Sequence, residues 1–69
     1  MRLSARNQLP GTVVSVSTGA VMAIVVIRLP GGQEIVSAIT KDSADSLELR
    51  EGDAVTAVIK ATEVMVGKD

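Results

Sequence analysis

The longest apolar run of the sequence, residues 20–27, consists mainly of side chains branched at Cβ. The same bias holds along the chain, which has eleven Val and five Ile but only five Leu. Branching at Cβ restricts χ1 in a helix and packs well on a pleated sheet, so this bias favours strands. The run is also far too short to span a membrane as a helix. The chain is therefore predicted to be mainly β-structure.

Turn signals divide the chain into five predicted strands. Residues typical of turns lie at positions 10–11, 18–19, 30–32 and 51–53, between apolar segments. The predicted strands are residues 12–17, 21–29, 34–39, 54–59 and 63–66, with a kink or bulge near residues 60–62. A short helix, residues 41–47, is predicted between the third and fourth strands, with Thr40 as its N-cap. We expect an all-β fold: a small five-stranded OB-like barrel in which residues 1–69 form one domain.

The second predicted strand is apolar on both faces. One face carries Met22, Ile24 and Val26, and the other carries Val25 and Ile27. In a single-layer barrel, only a neighbouring subunit can cover the outer face of such a strand. A domain of 69 residues is also near the lower size limit for a stable core, and it has no Cys for a disulfide. We therefore expect a homo-oligomer.

Charge and missing residue types exclude several functions. The net charge of −1 argues against broad attraction to nucleic acid or acidic membranes, and no aromatic side chain is available to stack on bases. Without His or Cys there is no imidazole or thiolate metal ligand and no Ser-His or Cys-His relay. The N-terminus lacks the apolar stretch of a secretory signal. We expect a cytoplasmic protein that is not an enzyme and holds no cofactor or resident metal.

Two polar clusters offer donors without carboxylates between them: residues 4–8 near the start, and residues 60–62 near the end. Their natural complement is an oxygen-rich anion. From spacing alone, Ser4, Arg6 and Lys60 fit ordinary surface positions better than a binding site. Similarly, Thr40 and Ser43 at the start of the predicted helix suit either an anion or simple helix capping.

The sequence resembles the molbindins, free-standing molybdate-binding proteins built from one Mop domain, of the TOBE/Mop-like family. The resemblance covers almost the whole chain and rests on residues 4–9, 11–15, 19–21, 38–43, 51–53 and 59–65. Its most specific part is the combination of Ser-Ala-Arg-Asn at residues 4–7 with Ile-Lys-Ala-Thr at residues 59–62. The resemblance implies an OB-like barrel, a hexamer arranged as a trimer of dimers, and binding of molybdate or tungstate at subunit interfaces.

The resemblance also implies which residues contact the oxyanion. One subunit is expected to supply Ser4 and Arg6. The partner is expected to supply Thr40, Ser43, Lys60 and the backbone amide of Ala61. Further candidates are Ala5 and Asn7 beside the first group and, for a second type of site near a threefold axis, the turn Thr18, Gly19 and Ala20.

The function that this resemblance favours is storage of molybdate and intracellular molybdenum homeostasis. Similar domains occur in transcription regulators and transporter ATPases, but this sequence shows no DNA-binding helical segment and no nucleotide-binding domain. The alternative is an anion-responsive regulatory or assembly module that binds a protein partner. A small nucleic-acid-binding barrel is a third hypothesis, which the missing aromatic residues and the acidic charge balance disfavour.

Overall fold

A computed structural model, which describes residues 1–69, shows a curled four-stranded antiparallel sheet that forms a half-barrel, with one short α-helix. The elements in chain order are β1 (Asn7–Thr18), β2 (Met22–Arg28), β3 (Glu34–Thr40), α1 (Lys41–Ser46), β4 (Ala54–Ile59) and a 3₁₀ helix (Ala61–Glu63). The strand order is β3-β2-β1-β4, so β3 and β4 are the two edges. None of the helices has the length and apolar character needed to cross a membrane. The predicted all-β class with one short helix is confirmed.

The first strand is longer than predicted, because β1 begins at Asn7 rather than at Thr12. The sequence of Pro10 and Gly11 predicted a turn, yet both residues lie within the strand. Pro10 pairs with β4 on one side only, since β2 pairs with β1 from Thr12 onward. A missing N–H is tolerated where a strand has one neighbour. Gly11 is required for close packing, because a Cβ there would lie 2.6 Å from Cγ2 of Ile27.

The core lies on the inner face of the curled sheet. The residues at its centre are Val13, Val25, Ile27 and Ala57, which are all buried. Partly buried apolar side chains surround them: Val16, Leu29, Ile35, Ile39, Leu49 and Val55. Helix α1 packs on β2 and β3 and buries Ala44. The inner face of β2 is therefore buried, whereas its outer face, which is also apolar, is largely exposed in one chain.

The predicted fifth strand, residues 63–66, is wrong: the structure has four strands. The chain turns through the 3₁₀ helix after β4, and residues 64–69 form no regular structure. Val64, Met65 and Val66 are 51%, 93% and 92% exposed. Their apolar character is suited to a strand, but a strand needs a sheet edge beside it, and the turn leaves this segment without one in its own chain.

The outer face of β2 and β3 is apolar and exposed. Met22 and Ile24 on β2 are 45% and 41% exposed, and Val36 on β3 is 66% exposed. Val36 lies opposite Val26 in the ladder, so these side chains form one continuous patch. We call the patch formed by Met22, Ile24, Val26 and Val36 the outer apolar face. Contiguous apolar surface of this kind marks interaction sites.

Candidate functional site

The pairing of β1 with β4 brings the two polar clusters together. These strands run antiparallel with Asn7 opposite Ile59. Residues 4–6 lead into β1 and residues 60–62 lead out of β4, so the two segments leave the sheet side by side. Strand pairing between positions distant in sequence thus creates one local site.

The two segments line an open cleft of about 220 Å³, which we call the donor cavity. Its lining residues are Ser4, Ala5, Arg6, Lys60, Ala61 and Thr62. Arg6 has five N–H donors, Lys60 has three, and Ser4 and Thr62 each add a hydroxyl. No carboxylate lines the cavity, and neither cation forms an ion pair in the structure. The site therefore presents unneutralised positive charge and several donors to one small volume.

The 3₁₀ helix adds backbone donors to the donor cavity. The first N–H that donates within this helix belongs to Glu63, whose N lies 2.9 Å from the carbonyl oxygen of Lys60. The N–H groups of Ala61 and Thr62 consequently have no acceptor within the helix. Both residues line the cavity, so a ligand there lies next to backbone donors that the helix leaves unused.

Two further cavities have chemistry unsuited to an anion. One, of about 320 Å³, lies within the half-barrel and is lined almost entirely by apolar side chains of the core and of the edge strands. The other, of about 660 Å³, lies beside Met1 and Pro10 and includes the carboxylate of Asp53. Neither contains Arg or Lys. The donor cavity is thus the one with the chemistry that the sequence predicted.

Thr40 and Ser43 lie outside the donor cavity and contact each other at the start of α1. The Thr40 hydroxyl donates to Oγ of Ser43 at 2.8 Å and accepts from the N–H of Ser43 at 3.1 Å. This is N-capping of the helix, the alternative that the sequence left open. Both residues are exposed, so the hydrogen-bonding groups that the cap leaves unused are accessible to solvent. Lys41 beside them pairs with Asp45 at 3.1 Å.

The donor cavity and the Thr40–Ser43 cap lie at opposite ends of β1. Thr40 pairs with Met22 at the end of the sheet where β1 finishes at Thr18, whereas the cavity lies where β1 begins. At about 3.3 Å per residue, a strand of this length separates its ends by up to roughly 36 Å. Within one protomer the two groups are separate, because neither Thr40 nor Ser43 lines the donor cavity.

Several of the predicted site residues lie together within one chain. Lys60 and Ala61 were expected to come from the partner of the subunit that supplies Ser4 and Arg6, but all four line one cavity of one chain. Ala5 lines it as well. Asn7 does not, because it is already the first residue of β1.

The predicted second site falls on the turn between β1 and β2. Thr18 is the last residue of β1, and the N–H of Gly19 donates to the carbonyl of Met22 at 2.7 Å. Thr18, Gly19 and Ala20 are exposed and line none of the three cavities. This turn is close to Thr40, since Lys41 donates its N–H to the carbonyl of Val21.

Thr62 is the lining residue that the predicted contact set lacked. Thr62 belongs to the polar cluster of residues 60–62, but nothing in the sequence pattern identifies it as a contact of the anion. The signal that identifies it is the 3₁₀ turn, which holds residues 61–63 in one tight coil beside β1.

Comparison with known proteins gives consistent relatives. A family model described as the TOBE domain matches residues 3–66. Molybdenum-pterin-binding protein 3 of Clostridium pasteurianum is 50% identical over 66 residues, which cover 96% of this chain and 97% of that protein. A molybdate-binding protein from Sporomusa ovata superposes with a TM-score of 0.92 at 48% identity, covering 99% of this chain and 100% of that one. The cytoplasmic molybdate-binding protein ModG, solved with molybdate bound, gives a TM-score of 0.84 at 52% identity, covering 88% of this chain and 43% of that one.

Proposed function

The chain belongs to the TOBE domain family, and from this premise we propose that it binds molybdate, without chemical change, in the donor cavity. The observation that carries the proposal is the lining of that cavity: two cations, two hydroxyls and free backbone N–H groups, with no carboxylate. The relatives described as molybdate-binding support the choice of anion.

The chemistry of the cavity suits a tetrahedral dianion. Such an anion has four acceptor oxygens and gives up its hydration shell when it binds. The site must therefore replace the lost water with positive charge and directed hydrogen-bond donors. Arg6 and Lys60 supply charge, and Ser4, Thr62 and the N–H of Ala61 supply directed hydrogen bonds. At about 220 Å³ the cavity is smaller than the roughly 300–1,000 Å³ of typical drug-sized ligand sites, in keeping with a small inorganic ligand.

Selectivity follows from size and protonation. Molybdate and tungstate are nearly the same size, so both are expected to bind, whereas sulfate is smaller and leaves donors at poor distances. A phosphate that carries a proton needs an acceptor, and the side chains that line this cavity offer no carboxylate. Discrimination against phosphate is therefore expected to come from the lack of a charged acceptor, since of these side chains only the neutral hydroxyls of Ser4 and Thr62 can accept the phosphate proton.

We further propose that each complete site is shared between protomers of a hexamer, arranged as a trimer of dimers. In this arrangement one chain supplies the donor cavity, and Thr40 and Ser43 of another chain complete the anion's shell. The separation of these groups along β1 supports sharing. The exposed outer apolar face, the unpaired edges of β3 and β4, and the exposed residues 64–66 supply surface for the contacts between copies.

The role that this binding supports best is storage of molybdenum as oxyanion in the cytoplasm, with residues 1–69 acting as one domain. A non-catalytic site is supported by the relatives, whose names describe them as binding proteins. The alternative is an anion-responsive module whose outer apolar face binds a different protein. That alternative is favoured by the exposure of Val36 and Met22.

Isothermal titration with sodium molybdate, tungstate, sulfate and phosphate at one fixed ionic strength tests the proposed ligand. Tight binding of molybdate and tungstate, with sulfate and phosphate much weaker, is expected. Equal affinity for all four anions would show a general anion site and refute the selectivity argument. A pull-down that finds a stoichiometric protein partner only with molybdate present would favour the alternative role.

A further inference from the structure

The side chain of Gln8 holds the segment that forms one wall of the donor cavity. Its Nε2 donates to the backbone carbonyl of Ala5 at 2.7 Å, and both residues are half-buried. Gln8 itself is fixed, because it lies within β1 opposite Val58 in the ladder with β4. A rigid strand residue therefore reaches back over three positions and anchors the chain just before the strand begins.

The hydrogen bond from Gln8 to Ala5 holds residues 4–6 in place. These residues precede the strand ladder, which starts at Asn7, and no backbone hydrogen bond of a turn, loop or cap involves them. Ser4 and Arg6 are exposed and form no other side-chain hydrogen bond or ion pair. Without the contact to Gln8, the segment would have no hydrogen bond to the sheet, and segments that are not tied down in this way are poorly ordered.

We propose that Gln8 is a positioning residue of the oxyanion site, which acts through the carbonyl of Ala5 and does not touch the anion. This inference rests on the proposed function of the donor cavity. By fixing the peptide between Ser4 and Arg6, Gln8 sets where the Ser4 hydroxyl and the Arg6 guanidinium stand before the anion arrives. A site ordered in advance loses less conformational freedom on binding, and affinity rises accordingly.

The test compares the wild-type chain with Gln8→Met, which keeps the length of the side chain but removes the donor. Gln8→Leu is a second variant without the donor, in case one of the two packs poorly. Gln33→Met is the matched control, since Gln33 is exposed in the hairpin between β2 and β3 and lines no cavity. Molybdate affinity is measured by titration, thermal unfolding is followed without anion, and ¹⁵N relaxation reports the order of residues 4–6.

Both Gln8 variants are expected to bind molybdate about 3- to 10-fold more weakly, the change that corresponds to one neutral hydrogen bond. Without anion, backbone order parameters of residues 4–6 should fall from about 0.85 toward values below about 0.6. Gln33→Met should match the wild type in both measurements. A purely structural role for Gln8 would lower the unfolding temperature and leave the affinity of the folded protein unchanged.

The outcomes separate this inference from the proposed function. If the wild type binds molybdate and both Gln8 variants bind it equally well with ordered residues 4–6, the positioning role is refuted while the site stands. If the wild type binds no molybdate, the proposed function itself fails. Weakened binding with unchanged order of residues 4–6 would also overturn the positioning role, because the effect would not pass through the segment.

Discussion

Replacing Arg6 by Ala removes one of the two cations that line the donor cavity, and the consequence for binding is calculable. A hydrogen bond to a charged group contributes about 1.5–3 kcal/mol net. The Coulomb energy of a unit charge pair at about 4 Å near a protein surface is roughly 4 kcal/mol, and Arg6 is exposed, so solvent screening reduces that figure. We take about 2 kcal/mol, which corresponds to roughly 30-fold weaker molybdate binding.

The same substitution should leave the fold intact. Arg6 forms no ion pair or hydrogen bond with the protein, and surface substitutions away from such features change stability by about 0.5 kcal/mol or less. Arg2→Ala is the matched control, because Arg2 is exposed, carries the same charge and does not line the cavity. Both variants change the net charge by the same amount. A difference between their molybdate affinities therefore reports the effect of where the charge lies.

The assay is isothermal titration of molybdate into the wild type and both variants at one ionic strength, with urea unfolding measured alongside. Arg6→Ala should lose roughly 30-fold in affinity at unchanged midpoint of unfolding, whereas Arg2→Ala should lose at most a few-fold through long-range charge. Equal affinities of the two variants would refute the assignment of the cavity, since the location of the charge would then be irrelevant.

Further substitutions test the fold and the assembly. Gly11→Ala should destabilise the protein by about 1–3 kcal/mol, because the added Cβ would meet Ile27; an unchanged urea midpoint would contradict this packing. Thr40→Ala should cost about 1 kcal/mol of unfolding free energy through loss of the cap on Ser43, and a null effect on unfolding would show that the cap is not stabilising. Val36→Asp should shift sedimentation toward smaller species, and an unaltered sedimentation coefficient would remove the outer apolar face from the interface.

Local patterns predicted the strands and the helix well where turn chemistry and alternation agree. The fourth strand, residues 54–59, has the predicted bounds, and the helix differs from residues 41–47 only at its end, since α1 is Lys41–Ser46. The start of β1 was missed because Pro10 and Gly11 are turn residues in most sequences. A proline can lie within a strand where that strand has a neighbour on one side only. Which strands pair is decided by tertiary structure and cannot be read from the local sequence.

The fifth strand failed for a related reason. The apolar run at residues 64–66 predicts a segment that can form a strand, but it cannot specify a sheet edge for that segment. In this chain the 3₁₀ helix directs the segment away, and Met65 and Val66 remain more than nine-tenths exposed. The apolar character of these side chains is clear from the sequence, but the structure provides no burial for them within one copy.

Residue types identified two donor clusters, but they did not show how these clusters meet. Donor clusters without carboxylates pointed to an anion, and the structure brings residues 4–6 and 60–62 to one cavity. That meeting depends on Asn7 pairing with Ile59, a contact between distant positions that spacing does not reveal. The hydrogen bond from Gln8 to Ala5 likewise could not be predicted from the sequence, because it depends on the geometry at the start of β1.

We propose that one complete oxyanion site requires more than one copy of the chain. Native mass spectrometry with and without molybdate tests it most directly, because it reports the oligomeric state and the number of bound anions together. We predict a hexamer that carries molybdate, is stabilised by the anion, and has no monomer population that retains it. Monomers that each bind one molybdate at full affinity would contradict the claim, since a single donor cavity would then be sufficient.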